Sequence, residues 1–174
     1  MESLKELYKI GMGPSSSHTM GPRKAADAFN RQYPAAASFK AVLYGSLAAT
    51  GKGHLTDFTI KEAFYPKPVE IEWDYTTLMP KHPNALRLQA LDKAGHVMGE
   101  KVVYSVGGGA IRDDETIGQK LNNVYPHTSM GAILEYTSAK RMLLWEYVEE
   151  CEGADIWDYL NTVWQTMQGT MKRG

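Results

Sequence analysis

Two stretches of this chain space their apolar residues with period two and a third reads as another strand, and that limits what the chain can fold into. Val69 to Trp73 reads Val-Glu-Ile-Glu-Trp, Leu86 to Leu91 reads Leu-Arg-Leu-Gln-Ala-Leu, and Val97 to Val106 has the composition of a strand. Alternation sends successive side chains to opposite faces, so such segments bury one face only by sharing a sheet. Helix-period runs bracket them. Arg23 to Tyr33 places Ala25, Ala26, Phe29 and Tyr33 at helical spacing and closes at Pro34; Ile156 to Met171 carries Ile156, Tyr159, Leu160, Val163, Trp164 and Met167 on one face. Phe39 to Tyr44 is a further strand that Gly45-Ser46 turns into Leu47 to Thr50, and Phe58 to Tyr65 is a helical stretch ended by Pro66. Asp92-Lys-Ala-Gly95 signals a hairpin between the later alternating runs. The pattern predicts helices around a sheet whose middle is an antiparallel meander.

After Gly107-Gly-Gly109 the pattern changes: an acidic patch, Asp113-Asp-Glu115, gives way to helix-period segments that run to the end. Ile133, Leu134 and Tyr136, then Met142, Leu143, Trp145, Tyr147 and Val148, read as two helices broken near Thr137-Ser138, with Ser138 capping the second. The apolar stripe of the last helix is wide enough to need a partner. Docking on its own domain and packing against a further segment both satisfy it.

Composition removes several function classes. With 43% hydrophobic residues among 174, the chain can bury a core. Nineteen basic residues balance 20 acidic ones, and no basic run exceeds Lys172-Arg173, which argues against nucleic acid as a partner. The start has no apolar signal core and no window approaches the roughly 18 apolar residues of a membrane span, so the chain reads as cytoplasmic with no membrane partner. The single cysteine, Cys151, forms no internal disulfide and by itself holds neither zinc nor an iron-sulfur cluster. It sits among glutamates in Glu-Glu-Cys-Glu, which discourages a thiolate. No His, Asp and Glu cluster has the spacing of a metal site.

Chemistry concentrates in residues 11 to 24, Gly-Met-Gly-Pro-Ser-Ser-Ser-His-Thr-Met-Gly-Pro-Arg-Lys. Glycine and proline shape a tight loop, Ser15, Ser16, Ser17 and Thr19 offer hydroxyls, and a helix starting near Pro22 aims the positive end of its dipole at the same place. That combination suits a carboxylate or a phosphate. His18 adds a group that moves protons near neutral pH. The same residue types also begin ordinary helices, and both readings stand on chemistry alone. A Ser-His hydrolase is disfavoured, because Ser17 and His18 are sequence neighbours that do not readily form the nucleophile-base bond. His82 and Asn84 flank a proline and face one side if extended, although on turn chemistry alone a rigid turn that merely caps the strand is the favoured reading. Tyr104-Ser-Val-Gly-Gly-Gly109 ends a strand where backbone can approach a ligand closely. His54, His96 and His127 read as surface or capping residues, and Gly51-Lys-Gly lacks the spacing of a P-loop.

Taken together, Gly13-Pro-Ser-Ser-Ser-His-Thr19 with Gly21-Pro22, the run Tyr44-Gly-Ser-Leu-Ala-Ala-Thr-Gly-Lys-Gly-His54, His82-Pro-Asn84 and Tyr104-Ser-Val-Gly-Gly-Gly109 resemble the beta domain of the iron-sulfur-dependent L-serine dehydratases. The resemblance covers roughly residues 5 to 170 and implies a division into a beta-type domain, 1–137, and a C-terminal helical segment, 138–174, leading to an alpha domain. It implies a lyase that degrades L-serine to pyruvate and ammonia, a reaction of amino-acid degradation and gluconeogenesis. It places a 4Fe-4S cluster on the alpha domain, not on this chain, with an open iron site as Lewis acid for the leaving hydroxyl. By the same resemblance His18 and His82 are candidates for proton transfer and Asn84 for orientation. Ser15, Ser16, Ser17, Thr19, Ser105, Gly107 and Gly108 would hold the substrate. The implied partners are L-serine and the alpha domain or subunit, with a homodimer left open; this chain alone should be inactive. The beta domain also resembles the allosteric substrate-binding domain of some phosphoglycerate dehydrogenases, which implies an α+β fold with a mixed, largely antiparallel sheet. That relation carries the alternative, a noncatalytic domain sensing a hydroxy- or amino acid. Two imidazoles near a serine loop serve elimination better than sensing, and a purely structural dimerisation domain leaves the glycine-rich strand end without a use.

Overall fold

The computed structural model describes residues 1–119 and 123–174. The chain forms two compact units, Gly11–Gln119 in one, and Met1–Ile10 with the chain beyond Gln119 in the other.

The first unit is α+β. Ser15 caps a short π-helical turn, Ser16–Met20, which runs directly into α2, Gly21–Gln32; α1, Leu4–Leu7, belongs to the other unit. Then follow β1 (Ser38–Tyr44), α3 (Gly45–Thr50), α4 (Thr56–Phe64), β2 (Val69–Asp74), β3 (Ala85–Leu91), β4 (Val97–Gly107) and β5 (Ala110–Asp113). The strands lie in the order β2-β1-β3-β4-β5. β1 and β2 are parallel and every other pair is antiparallel, so the sheet is mixed and largely antiparallel.

The meander is therefore narrower than its sequence suggests. Only β3, β4 and β5 form one, while β2 lies on the far side of β1. The reason is the helical connection of α3 and α4, which carries the chain back along the sheet so that the next strand starts at the same end as β1. β5 has no counterpart in the sequence reading, because the acidic run beginning at Asp113 hides a four-residue strand paired with the end of β4.

Alternation decides the faces. Phe39, Ala41 and Leu43 of β1, with Leu86, Leu88 and Ala90 of β3, point toward Ala25, Ala26 and Phe29 of α2 and Ile60, Ala63 and Phe64 of α4. Phe39 stacks on Phe64 with centroids 4.1 Å apart. Val42, Tyr44, Ala85 and Tyr104 pack on the opposite face. The heavy face anchors α2, and that holds the loop before it over one end of the sheet.

The second unit is helical: α1, α5 (Met130–Lys140), α6 (Leu144–Glu152) and α7 (Ile156–Arg173). Tyr125, Ile133 and Tyr147 form its buried centre with Leu4, Met142 and Val148 against them. The break expected at Thr137-Ser138 lies at Arg141, whose φ of 53° is left-handed and ends α5. Thr137 is buried inside α5, and α6 is started by the Glu146 carboxylate, which accepts from the Leu143 N–H at 2.6 Å. On α7, Ile156 and Val163 are buried while Trp164, Met167 and Met171 are exposed. No described helix is long and apolar enough to cross a membrane.

Candidate active site

Strand directions gather the separate motifs at one end of the sheet. β1 ends at Tyr44 and passes into Gly45-Ser46; antiparallel to it, β3 begins at Ala85 just after His82-Pro-Asn84; antiparallel again, β4 approaches its end at Ser105. Backbone bonds tie these ends together, Ser46 N–H to Pro83 C=O at 3.2 Å and Ser105 N–H to Asn84 C=O at 2.8 Å. Gly45 has a φ of +51°, and a Cβ there would lie 2.6 Å from the Pro83 carbonyl oxygen, so glycine is required both by conformation and by space.

The serine loop closes over this end. Ser15 Oγ accepts from the His18 N–H at 3.2 Å, and its carbonyl accepts from the N–H groups of Thr19 and Met20 at 3.1 and 3.0 Å. The first amides of a helix have no intrahelical acceptor; Ser16 and Ser17 carry those that this cap does not use. Thr19 is fully buried and donates its hydroxyl to the His54 carbonyl at 2.7 Å, while Thr56, also buried, donates to the His18 carbonyl at 2.5 Å. The loop is thus fixed to the start of α4 at two points.

His18 is held on both sides of its ring. Nδ1 lies 2.8 Å from Ser17 Oγ and Nε2 3.0 Å from Ser46 Oγ. The adjacent Ser17 and His18 therefore do form the side-chain bond that sequence adjacency argued against, because the tight turn brings the two side chains round to each other. The second ring partner is a hydroxyl, not the carboxylate of a hydrolase triad. Burial pushes the His18 imidazole below the usual histidine range; the His54 ring, with centroids 4.8 Å apart, adds to this, and the Ser46 contact opposes it. His54 is half-buried and its Nδ1 lies 2.9 Å from the Thr50 carbonyl, so that nitrogen carries the proton. It caps α3, as its sequence setting suggests, and also faces His18.

His82 and Asn84 are half-buried, and the Asn84 N–H donates to His82 Nδ1 at 3.1 Å. Nδ1 is therefore the acceptor, and the neutral ring carries its proton on Nε2. Ser105 is fully buried, and among the described residues its hydroxyl has no hydrogen-bond partner. It lies against Gly21, where a Cβ would overlap Ser105 Oγ and sit 2.9 Å from Ser105 Cβ. Gly21→Ala should consequently cost about 1–3 kcal/mol, the usual range for overpacking. Urea unfolding measures this, and adding Ser105→Gly, which removes both clashing atoms, should recover most of it; an unchanged midpoint in the single variant would show that loop and strand separate freely. Gly107 and Gly108 form the β4–β5 turn with φ of 101° and 57°, and a Cβ at either would meet open space. Conformation requires glycine there, not crowding.

Sequence reasoning missed Ser46 and the second contact of His54. The available signal was a Gly-Ser pair immediately after a strand, with Thr50 one helical turn on and His54 one more. The residues it named are assembled instead by Ser46 and by the carbonyls of Pro83 and Asn84.

The family model for the serine dehydratase beta chain matches residues 3–65 and 59–116. The chain belongs to this family. L-serine dehydratase 1 of Escherichia coli is 30% identical across the whole of this chain, and the L-serine dehydratase of Haemophilus influenzae is 29% identical across the whole of it. An L-serine dehydratase of Helicobacter pylori is 31% identical over 81% of it. The chain spans about half the length of the first two, 49% in each case.

A resident iron-sulfur cluster does not fit the serine dehydratase beta-chain residues described. No group of three or more His, Cys, Asp or Glu converges among them. Cys151 is the single thiol, raised above its ordinary range chiefly by burial, with Glu150 and Glu152 adding to it and a bond to Tyr147 opposing.

Proposed function

We propose that this chain is the beta part of an L-serine dehydratase, supplying substrate-binding and proton-transfer groups to an active site that an alpha domain carrying a 4Fe-4S cluster completes. What supports the reading most is the meeting of the serine loop, Ser46 and the His82-Pro-Asn84 turn at one end of the sheet. In this reading the amides and hydroxyls of Ser16 and Ser17, with Ser15 as cap, hold the substrate carboxylate at the positive end of the helix. Thr19 and Ser105, both buried, support the loop from beneath, and the Gly107-Gly108 turn leaves backbone free to meet the amino group.

His18 takes the α-proton. A base must be neutral to act, and burial keeps this imidazole neutral at physiological pH. His82, whose Nδ1 is occupied by the Asn84 amide, presents an Nε2–H and so acts as donor toward the substrate's oxygen atoms, with Asn84 orienting it. Loss of the α-proton and the β-hydroxyl yields an enamine that hydrolyses to pyruvate and ammonia. The test is turnover by the assembled enzyme, this chain with its alpha part, under anaerobic conditions: L-serine should give pyruvate and ammonia in equal amounts. Binding of L-serine with neither product would favour the sensor reading instead.

A further inference from the structure

Both ring nitrogens of His18 meet serine hydroxyls, yet the two serines are held very differently. Ser46 is fixed through its backbone on both sides. Its N–H is bound to the Pro83 carbonyl and its own carbonyl accepts from Thr50 Oγ1 at 2.9 Å. Gly45 before it is locked against Pro83, and Thr50 at the end of the same helix holds His54 through its carbonyl. Ser17 is the half-buried residue next to His18 and reaches the ring through a single side-chain torsion. Both hydroxyls turn about χ1 alone; Ser46 differs in that its backbone is tied to the strand end and to Thr50, away from the loop proposed to hold the substrate.

We propose that Ser46 is the positioning residue of His18, accepting from its Nε2–H so that Nδ1, opposite Ser17, is the nitrogen that exchanges protons with substrate. This deepens the proton-transfer reading of His18 and rests on it. A hydroxyl acceptor on Nε2 fixes the ring plane and the tautomer, much as a second hydrogen bond fixes the imidazole of other catalytic histidines. It also joins His18 to the His82 turn through one residue, since Ser46 touches the first with its side chain and Pro83 with its amide. His54 is the titratable ring facing His18; Ser17 and Ser46 are its neutral neighbours.

The experiment reads the ring directly, by long-range proton–nitrogen NMR of imidazole-labelled 174-residue chain across pH. The native chain should show His18 as the Nε2–H tautomer. In Ser46→Ala the imidazolium loses an acceptor, so its titration midpoint should move to lower pH and the tautomer should mix; Ser46→Thr, which keeps a hydroxyl, should restore both. In the assembled enzyme, Ser46→Ala should lower kcat about tenfold, leave KM nearly unchanged and carry the acid limb of the pH profile down with the midpoint. An unchanged midpoint and tautomer in Ser46→Ala would overturn the proposal whatever kcat does. A normal kcat in His18→Ala would instead remove the proton-transfer reading, and the ring measurement would still decide what Ser46 does.

Discussion

Replacing His18 by alanine in the assembled enzyme should lower kcat for L-serine at least about a hundredfold, the scale on which a positioned proton-transfer group works. The expectation comes from the site's electrostatics as much as from its residues. Burial and the His54 ring keep the His18 imidazole from charging, so below the usual histidine range near 6.5 it still holds a lone pair. The acid limb of kcat/KM should therefore fall at a pH below about 6.5 and vanish in the variant. Linkage gives a second reading with a definite sign. The unfolded chain binds a proton at His18 more readily than the folded one, so this residue's contribution to stability is present above about pH 6.5 and is lost as the pH falls through the lower folded value. His18→Gln should flatten that dependence. His82→Ala should also cost about a hundredfold, and its effect should lie in kcat rather than in the acid limb. Near-normal kcat in both variants would place the two histidines among structural residues.

The second large effect is all-or-none. Given L-serine under anaerobic conditions, the 174-residue chain by itself should form no pyruvate. In the proposed reading its described residues supply a proton acceptor and an anion cradle, and among them there is no donor set for a cluster, with Cys151 discouraged from ionising. Adding the cysteine-bearing alpha part with its cluster should bring turnover. Pyruvate from the chain alone would show that elimination is complete within it, and the division of the site between two parts would have to be given up.

The order of helices and strands could be read from the sequence because most elements follow their own periodicity. β1, β3, β4, α2 and α7 all lie where alternation or helical spacing places them. What sequence could not supply was partnership. The edge position of β2 depends on the path of α3 and α4, which period-two spacing does not record, and β5 is stabilised by pairing with β4 rather than by its own four residues. The α5–α6 break moved because a left-handed Arg141 ended the helix past the Ser and Thr residues that looked like caps. For the candidate site, the serine loop could be picked out by composition, whereas Ser46 is an ordinary serine whose contact with His18 comes from what the sheet brings opposite it. His54 looked like a capping residue and is one; its second role depends on a ring from a loop 36 positions earlier. The Ser17–His18 bond was not expected because adjacency was judged as if the chain were extended, and a π-helical turn is not.

A structure of the assembled enzyme with L-serine bound tests the central claim most directly. The account predicts the substrate carboxylate within about 2.7–3.2 Å of the amides or hydroxyls of Ser16 and Ser17, with its α-carbon facing the Nδ1 side of His18. A carboxylate held elsewhere, with the serine loop empty and His18 out of reach of the α-carbon, would contradict it.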